Sequence, residues 1–499
     1  MAKWIEMVKT DHGPALADAL GTWAGGPGPL YAQLAYALQR RLEGGLLPPG
    51  ARLPSERALG TALGVSRTTV VAAYDQLRAA GWLRSYRGSG TRVAHGLRAS
   101  ASPAELGGAG GAVEPLEEGP FAFEPPPEDI ELTVGALPGA AVIAAEARRV
   151  AEEDLPGLLR SFGYLPFGLP ALRQAVAAHL RELGVPSVAE EVLITSGAQQ
   201  AIDLLARHFG GPGISVILEN PTYPPAIDVF RASGARLIPV PLDEEGIRTD
   251  LLRVQAQHSR AQLLFLNPIC HNPTGTTLSE SRRRDIARLA ADFGLTVIDD
   301  LTSAYLTFDE QPPVPIAAAG ERERVITIGS LSKVAWGGLR VGWIRAPRSL
   351  IAGLAARKVD MDLSTSLFSQ ALAVRLLARF DELVPLAQGA ARVRLDALEQ
   401  ALRRELPSWS WVRPAGGLCL WVHLPAGDAA AFSHLAADHA VIVRPGPQFS
   451  ADGSCRDRLR LAYGHEPVLL AEAVTRLAAA WSNFRPASLR SPRGVTITV

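Results

Sequence analysis

Apolar residues recur along this chain with two different periods, and the change of period divides it. From Pro29 the period is helical. Tyr31, Leu34, Ala35, Leu38 and Leu42 fall at i, i+3, i+4, i+7 and i+11, one stripe down a helix that Gly44-Gly45 and Pro48-Pro49-Gly50 bring to an end. Ser55 predicts the N-cap of a short helix running to Leu63 and stopped by Gly64. Ser66 caps the next, where Val70, Ala73, Tyr74 and Leu77 repeat the stripe up to Gly81. Trp82–Tyr86 and Thr91–Val93 then flank Arg87-Gly88-Ser89-Gly90, the pattern of a β-hairpin. Ahead of this block, residues 1–28 are weakly patterned and end in Gly25-Gly26-Pro27-Gly28, so they read as an N-terminal extension.

From about residue 130 to 484 the pattern becomes an alternation. Val192–Thr195, Val216–Leu218, Leu263–Leu266, Thr296–Ile298 and Val325–Ile328 read as short buried strands. Helical spacing covers 170–182, 198–209, 279–293 and 350–358. Strands alternating with helices predict an α/β domain on a mostly parallel sheet. Between the two patterned regions, residues 96–129 are rich in Gly, Ala, Pro and Glu, with Gly107-Gly108-Ala109-Gly110-Gly111 before Pro125-Pro126-Pro127, a linker by composition. The last stretch, 485–499, is polar and proline-containing and reads as a tail. The expectation is a multidomain chain. An α+β winged helix-turn-helix domain spans 29–95, and a large α/β domain spans 130–484.

At 499 residues, 47% hydrophobic and 20% charged, the chain has the composition of a globular protein of two or three domains. No apolar run is long enough to span a bilayer, and the N-terminus lacks the apolar core of a signal peptide, so a cytoplasmic protein without a membrane partner is expected. Cys270, Cys419 and Cys455 are widely spaced. They form no metal pattern, and their odd number suits a reducing compartment. Net charge is zero, but residues 30–95 carry nine arginines against Glu43, Glu56 and Asp75, a local +6 that suits a polyanionic partner. Only four lysines occur, Lys3, Lys9, Lys333 and Lys358. Where arginine serves for plain charge, a lysine that remains is a candidate for chemistry that arginine cannot perform, such as Schiff-base formation.

Two short helices joined by Gly64-Val65-Ser66 and followed by a hairpin describe a winged helix-turn-helix. The second helix buries Val70, Tyr74 and Leu77 and turns Arg67, Thr68 and Thr69 outward at an N-terminus that can enter a major groove. The blocks Pro29-Leu30-Tyr31, Arg52-Leu53-Pro54-Ser55-Glu56-Arg57, Leu63 through Val70 and Gly88-Ser89-Gly90-Thr91 closely resemble the GntR family of bacterial regulators over residues 29–95. That resemblance implies contacts to double-stranded operator DNA from Arg57, Ser66, Arg67, Thr68, Thr69, Arg87 and Gly88.

In the large domain, Ser330-Leu331-Ser332-Lys333 follows a strand and precedes Gly338-Leu339-Arg340-Val341-Gly342. A loop at the carboxyl end of a parallel strand is where α/β folds bind ligands. Ser196-Gly197-Ala198-Gln199-Gln200 opens a helix after another strand and makes a phosphate cradle. Asn267-Pro268 and His271-Asn272-Pro273-Thr274-Gly275, Asp299-Asp300 and Pro221-Thr222-Tyr223-Pro224 reach the same rim. Together they assemble a ring binder with an aldehyde trap, a phosphate site, a stacking face and an acid for a ring nitrogen.

This set resembles the fold-type-I PLP-dependent aminotransferases over residues 130–484. The resemblance implies pyridoxal 5′-phosphate held by Lys333 as an internal aldimine, with Asp300 on the pyridine nitrogen, Asn272 on the phenolic oxygen and Tyr223 stacked on the ring. It gives the phosphate to Ala198, Gln199, Ser330 and Arg340. Tyr164 is to reach the phosphate of a partner subunit, and Arg460 is to grip a carboxylate of a small amino-compound effector. Asp299 is the alternative nitrogen partner if the strand end shifts by one. These folds usually place a tyrosine two or three residues beyond the Asp. Here Thr302 and Ser303 stand there, so either the later Tyr305 substitutes or the contact is absent.

A GntR-type reader joined by a linker to an aminotransferase-like domain resembles the MocR subgroup of regulators across nearly the whole chain. That layout implies a head-to-tail homodimer that senses the coenzyme or an amino compound and regulates vitamin B6 or amino-compound metabolism. The alternative is a working aminotransferase with a vestigial reader.

Overall fold

The computed structural model describes residues 16–17, 20–21, 23–24, 29–43, 51–79, 82–86, 90–93, 129–309, 314–320 and 322–484. Contacts divide the chain into two units, Met1–Glu124 and Pro125–Val499. In the first unit the helical stripe from Tyr31 to Leu42 becomes α1 (Leu30–Glu43). Helix α2 (Glu56–Leu63) begins where the Ser55 hydroxyl accepts from Ala58 N at 3.2 Å and ends at Gly64, whose φ of 67° is left-handed. Helix α3 (Arg67–Ala79) and the antiparallel pair β1 (Leu83–Tyr86) and β2 (Gly90–Val93) complete the winged motif.

The reader's core is a single apolar cluster. It holds Leu34, Leu38, Leu59, Val70, Tyr74, Leu77, Leu83 and Val93. Leu16 and Leu20 belong to it too, so part of the segment read as an extension is built into the domain. Tyr74 donates its hydroxyl to Pro54 O at 3.0 Å, which satisfies the one polar atom that this buried ring carries inside.

The second unit is built on an eight-stranded sheet. The elements that matter to the site are, in chain order, α4 (Pro170–Glu182), β3 (Val192–Thr195), α5 (Ala198–Phe209), β4 (Ser215–Asn220), β5 (Arg236–Asp243), β6 (Gly246–Ile247) and β7 (Leu263–Leu266). They continue as α6 (Glu280–Phe293), β8 (Thr296–Asp300), β9 (Val325–Ser330), β10 (Gly342–Arg345) and α7 (Arg348–Asp362). The strand order is β3-β10-β9-β8-β7-β4-β5-β6. Neighbours from β9 through β5 run parallel, while β10 runs antiparallel between β3 and β9, and β6 antiparallel at the edge. The sequence alternation predicts β3, β4, β7, β8 and β9 and does not mark the parallel strand β5. The reversed strand β10, Gly342-Trp343-Ile344-Arg345, lacks the apolar run of the others and is not marked by that alternation.

Helices cover both faces, so β3, β7 and β9 bury every residue and carry no polar alternation. Successive residues face opposite ways. Val297 and Leu264 join a cluster with α4 and α6, while Ile298 and Phe265 join a second cluster with α5 and α7. A smaller antiparallel sheet follows, of Ser410–Trp411, β11 (Cys419–His423), β12 (Arg444–Pro445) and β13 (Arg458–Ala462), with β13 between β11 and β12. No helix among the described residues is long and apolar enough to cross a membrane.

Candidate functional site

The parallel strands end at one rim, at Thr195, Asn220, Leu266, Asp300 and Ser330, and the reversed β10 starts there, with Gly342 paired to both Thr195 and Ser330. The loops opening at Ser196, Pro221, Asn267, Leu301 and Leu331 depart from this rim. The lysine loop leaves β9 at Ser330, whose buried hydroxyl donates to Val341 O at 3.0 Å and accepts from Ser332 N at 3.2 Å. These bonds clamp the loop between Ser330 and β10. The Ser330 hydroxyl proton is therefore taken by backbone rather than turned toward the cradle.

Lys333 donates from Nζ to the carbonyl of Gly135. Burial lowers its pKa below the ordinary lysine range, Arg460 pushes the same way, and Cys419 and Asp300 oppose them. A depressed ammonium pKa raises the fraction of neutral amine, the form that attacks a carbonyl.

Asp300 is buried at the end of β8 and accepts from Thr302 N at 2.9 Å and from Thr302 Oγ1 at 2.6 Å, both on Oδ1. Its pKa is raised, chiefly by burial and against the two Thr302 bonds. Asp299 points to the other face, where Oδ2 accepts from Ile316 N at 3.0 Å. The alternative that gave Asp299 the ring nitrogen would need a strand shifted by one residue, and the register of β8 places Asp300 on the face of α5 instead.

Asn272 sits in a line of hydrogen bonds across the rim. Arg460 NH1 donates to its Oδ1 at 3.3 Å, its N donates to Asn267 Oδ1 at 2.8 Å, and Asn267 Nδ2 donates to Asp300 O at 3.1 Å. The other arm of Arg460 bonds the Thr133 carbonyl, and its guanidinium lies 5.0 Å from the Phe449 ring centre. Tyr223 is half-buried beside them. Burial pushes its phenol up to about 12, Asp300 adds to that, and Arg460, Arg444 and Arg340 oppose it.

The cradle lies at the start of α5. Gly197 adopts φ 94°, and a Cβ there would meet the Arg340 guanidinium at 3.2 Å. A Cβ on Gly342 would stand 2.7 Å from Gly197 C and 2.9 Å from Ala198 N, so β10 passes against the backbone of the turn. Arg340, itself left-handed at φ 53°, donates to Ser196 O at 2.8 Å. The buried Oε1 of Gln199 has no partner among the described residues.

Lys333, Asp300, Asn272, Tyr223 and Arg460 thus gather at one rim with the Ala198–Gln199 turn, Ser330 and Arg340. Tyr305 does not join them. Its hydroxyl pairs with His179 Nε2 at 2.6 Å and its ring packs edge-on to Phe380 in the core, so it does not replace the missing tyrosine. Tyr164 is exposed on a loop with Gly163 at φ 82°. Sequence reasoning missed Gly135 and Thr133, which act through backbone carbonyls and carry no side-chain signal. It also missed Glu219, which accepts from Asn267 N at 2.7 Å and whose pKa burial raises to about 8.

In the reader, Arg57, Ser66, Arg67 and Thr68 are exposed and Thr69 is half-buried. The Ser66 hydroxyl accepts from Thr69 N at 3.1 Å and lies 2.8 Å from both the Thr68 and Thr69 hydroxyls, which fixes the first turn of α3. Arg87 and Gly88 lie outside the described residues.

Residues 127–477 match the family described as aminotransferase class I and II, and residues 30–93 match the bacterial regulatory proteins of the gntR family. The HTH-type transcriptional regulator YisV of Bacillus subtilis is 31% identical over 453 residues, 88% of this chain and 92% of that protein. The probable rhizopine catabolism regulatory protein MocR of Rhizobium meliloti is 29% identical over 338 residues, 65% of this chain and 67% of that one. Among solved structures, the α-aminoadipate aminotransferase LysN of Thermus thermophilus, complexed with N-(5′-phosphopyridoxyl)-L-leucine, superimposes with a TM-score of 0.66. It is 32% identical and covers 72% of this chain and 93% of its own.

Proposed function

This chain belongs to the aminotransferase class I and II family and carries a GntR-type reader ahead of that domain, and from that premise we propose that its coenzyme site serves as the sensor of a transcriptional regulator. The chain is a GntR-type regulator fused to an aminotransferase-like domain whose cofactor is pyridoxal 5′-phosphate, and the GntR domain is its DNA-binding part. The finer reading assigns the residues. The observation that carries it is the convergence on one rim of a lysine with a depressed pKa, a buried carboxylate and an arginine, joined through Asn272 and Asn267.

The residues fit the coenzyme. The Gly197 turn has no room for a Cβ beside Arg340, and a buried amide oxygen on Gln199 awaits a partner. When bound, the coenzyme supplies a carbonyl that traps amines and a ring that withdraws electrons. Lys333 holds that carbonyl through its neutral amine. Asp300 keeps Oδ2 for the ring nitrogen, since both Thr302 bonds go to Oδ1. Asn272 faces the phenolic oxygen and Tyr223 the ring. Ala198 and Gln199 offer the free N–H groups of a helix start, with Arg340 beside them, and Ser330 contributes by clamping the lysine loop. Arg460 takes the carboxylate of an amino-compound effector in bidentate fashion. Tyr164, on an exposed loop with Phe162, reaches the phosphate of a partner subunit in a head-to-tail homodimer, and Arg57, Ser66, Arg67, Thr68, Thr69, Arg87 and Gly88 contact operator DNA.

The test is borohydride reduction of the purified, coenzyme-loaded protein followed by peptide mapping, with operator titrations in the presence and absence of amino compounds. Label on the Lys333 peptide together with amine-dependent DNA affinity supports the sensor. Keto-acid production over many turnovers, with DNA affinity indifferent to amines, would support the aminotransferase alternative.

A further inference from the structure

Of the four lysines, Lys358 is the one whose burial the sequence does not account for. It sits near the end of α7, is fully buried at 0% exposure, and donates from Nζ to Asp362 Oδ1 at 2.6 Å. The other carboxylate oxygen of Asp362 accepts from Gln200 Nε2 at 2.8 Å and from Ser196 Oγ at 3.3 Å. Gln200 Oε1 in turn accepts from Ser196 N at 2.8 Å. One carboxylate therefore grips both sides of the turn that opens α5, Ser196 before it and Gln200 within its first turn. Arg340 holds the same turn from the other side through Ser196 O. The segment beyond Asp362 is fixed as well, because Thr365 Oγ1 lies 3.3 Å from Ser196 Oγ and Ser364 Oγ accepts from Leu165 N at 3.1 Å.

A carboxylate this close to an anion site works against the anion unless its charge is balanced. Lys358 supplies that balance from the buried side, where water cannot. An exposed i,i+4 pair of this kind contributes little. A pair with one member wholly inside is different, since removing either partner strands the other charge.

We propose that the Lys358–Asp362 ion pair is a positioning device for the phosphate cradle. It fixes Ser196 and Gln200 so that the N–H groups of the Gly197–Gln199 turn converge on a phosphate dianion, and it keeps Asp362 from repelling that dianion. The proposal rests on the reading that this turn takes the coenzyme phosphate while Lys333 takes its carbonyl.

The discriminating ligand is pyridoxal, which has the same ring and aldehyde as the coenzyme but no phosphate. Affinities of the full-length protein for pyridoxal phosphate and for pyridoxal are measured by absorbance titration for the wild type, Lys358→Met, Asp362→Asn and the double variant. Borohydride fixation on Lys333 checks the site in each, and circular dichroism checks the fold. Lys358→Met is expected to weaken pyridoxal phosphate about tenfold or more and pyridoxal less than about twofold, because the loss falls on a charged contact. The double variant, with no net charge change at the pair, is expected to regain most of that loss. Asp362→Asn keeps the shape of the side chain and an oxygen for Ser196 and Gln200, so it carries the test if Lys358→Met does not fold; it leaves the Lys358 ammonium unbalanced beside the cradle and is expected to raise the preference for the phosphorylated ligand, opposite to Lys358→Met. Equal losses for both ligands, an unchanged preference in the single variants, or a double variant no better than Lys358→Met would overturn the proposal. Wild-type protein that fixes neither ligand on Lys333 would instead overturn the reading on which it rests.

Discussion

Asp299 and Asp300 are consecutive at the end of β8 and face opposite sides of the sheet, Asp300 toward Thr302 N at 2.9 Å, Asp299 toward Ile316 N at 3.0 Å. The pleat sends successive side chains to opposite faces, so two identical carboxyls stand in different surroundings. Asp300→Asn is expected to lower retention of the coenzyme about tenfold and to change the pH dependence of its absorbance, since an amide does not hold a proton on the ring nitrogen. Asp299→Asn is expected to leave that absorbance unchanged. Burial raises the Asp299 pKa to about 7, so the folded state keeps a proton that the unfolded state has released. Such a group loses stability as pH rises from about 4 to 7. Replacing it should make the protein relatively more stable at pH 8 than at pH 5, as read by denaturant unfolding at both values.

The opposite sign applies to His179. Burial lowers its pKa from 6.5 to about 4, with Asp381 opposing. Between those values the unfolded chain binds a proton that the folded chain does not, so stability is complete above pH 6.5 and is lost as pH falls toward 4. The full swing is about 3 kcal/mol. His179→Gln, which can still bond the Tyr305 hydroxyl, is expected to flatten part of the acid limb. His271, lowered to about 3 by burial, retains its own share. Unfolding midpoints of wild type and variant at pH 7.5 and 5 decide it, and parallel curves would exclude the assignment.

Most of the scaffold was readable because local chemistry and global fold agree. Ser55 and Gly64 mark the ends of α2, as a cap and a left-handed stop must, and the five strands read from apolar runs are all present. Asp300, Asn272, Tyr223, Ser330, Lys333 and the Ala198–Gln199 turn gather at one rim because the strands that precede them end there together. The rest was hidden for identifiable reasons. Tyr305 lies close in sequence to the expected tyrosine, but the short 3-10 turn over Ala304–Leu306 directs it into the core. Lys358 and Asp362 are four apart, the spacing of an ordinary surface pair, and nothing local reveals that one end is buried. Gly135 and Thr133 act through carbonyls, which every residue has.

The first turn of α3 separates structure from recognition. Ser66 caps Thr69 N, so Ser66→Ala is expected to cost about 1 kcal/mol of stability in the reader as well as weaken DNA binding. Arg67 is exposed and makes no such cap. Arg67→Ala should leave stability unchanged and weaken specific operator binding by about 1–3 kcal/mol if it reads a base edge. Arg87→Ala, if its contact is to phosphate, should weaken all sequences alike and lower the salt dependence by about one unit of slope. Fluorescence titrations against operator and random duplex at several salt concentrations distinguish the three.

Lys333 bonds the Gly135 carbonyl and Arg460 bonds the Thr133 carbonyl, so the two groups assigned to coenzyme and effector hold one short stretch of backbone. That stretch begins within a few residues of the 96–129 linker. Covalent capture of the coenzyme would withdraw the Lys333 donor from Gly135, and a carboxylate on Arg460 would compete with Thr133 and Asn272. Each ligand would then interact differently with this segment when it is held by Lys333 and Arg460 and when it is released, which is what a shift of equilibrium requires. Hydrogen exchange over residues 130–136 should change on adding coenzyme and again on adding an amine with a carboxylate, but not with an amine that lacks one. Arg460→Gln should abolish the second change and leave the first. Coupling to DNA is expected at about 1–3 kcal/mol, and operator should alter effector affinity by the same factor as effector alters operator affinity. Unchanged exchange over 130–136 alongside a measurable effect on DNA affinity would show that the signal leaves the site by another route.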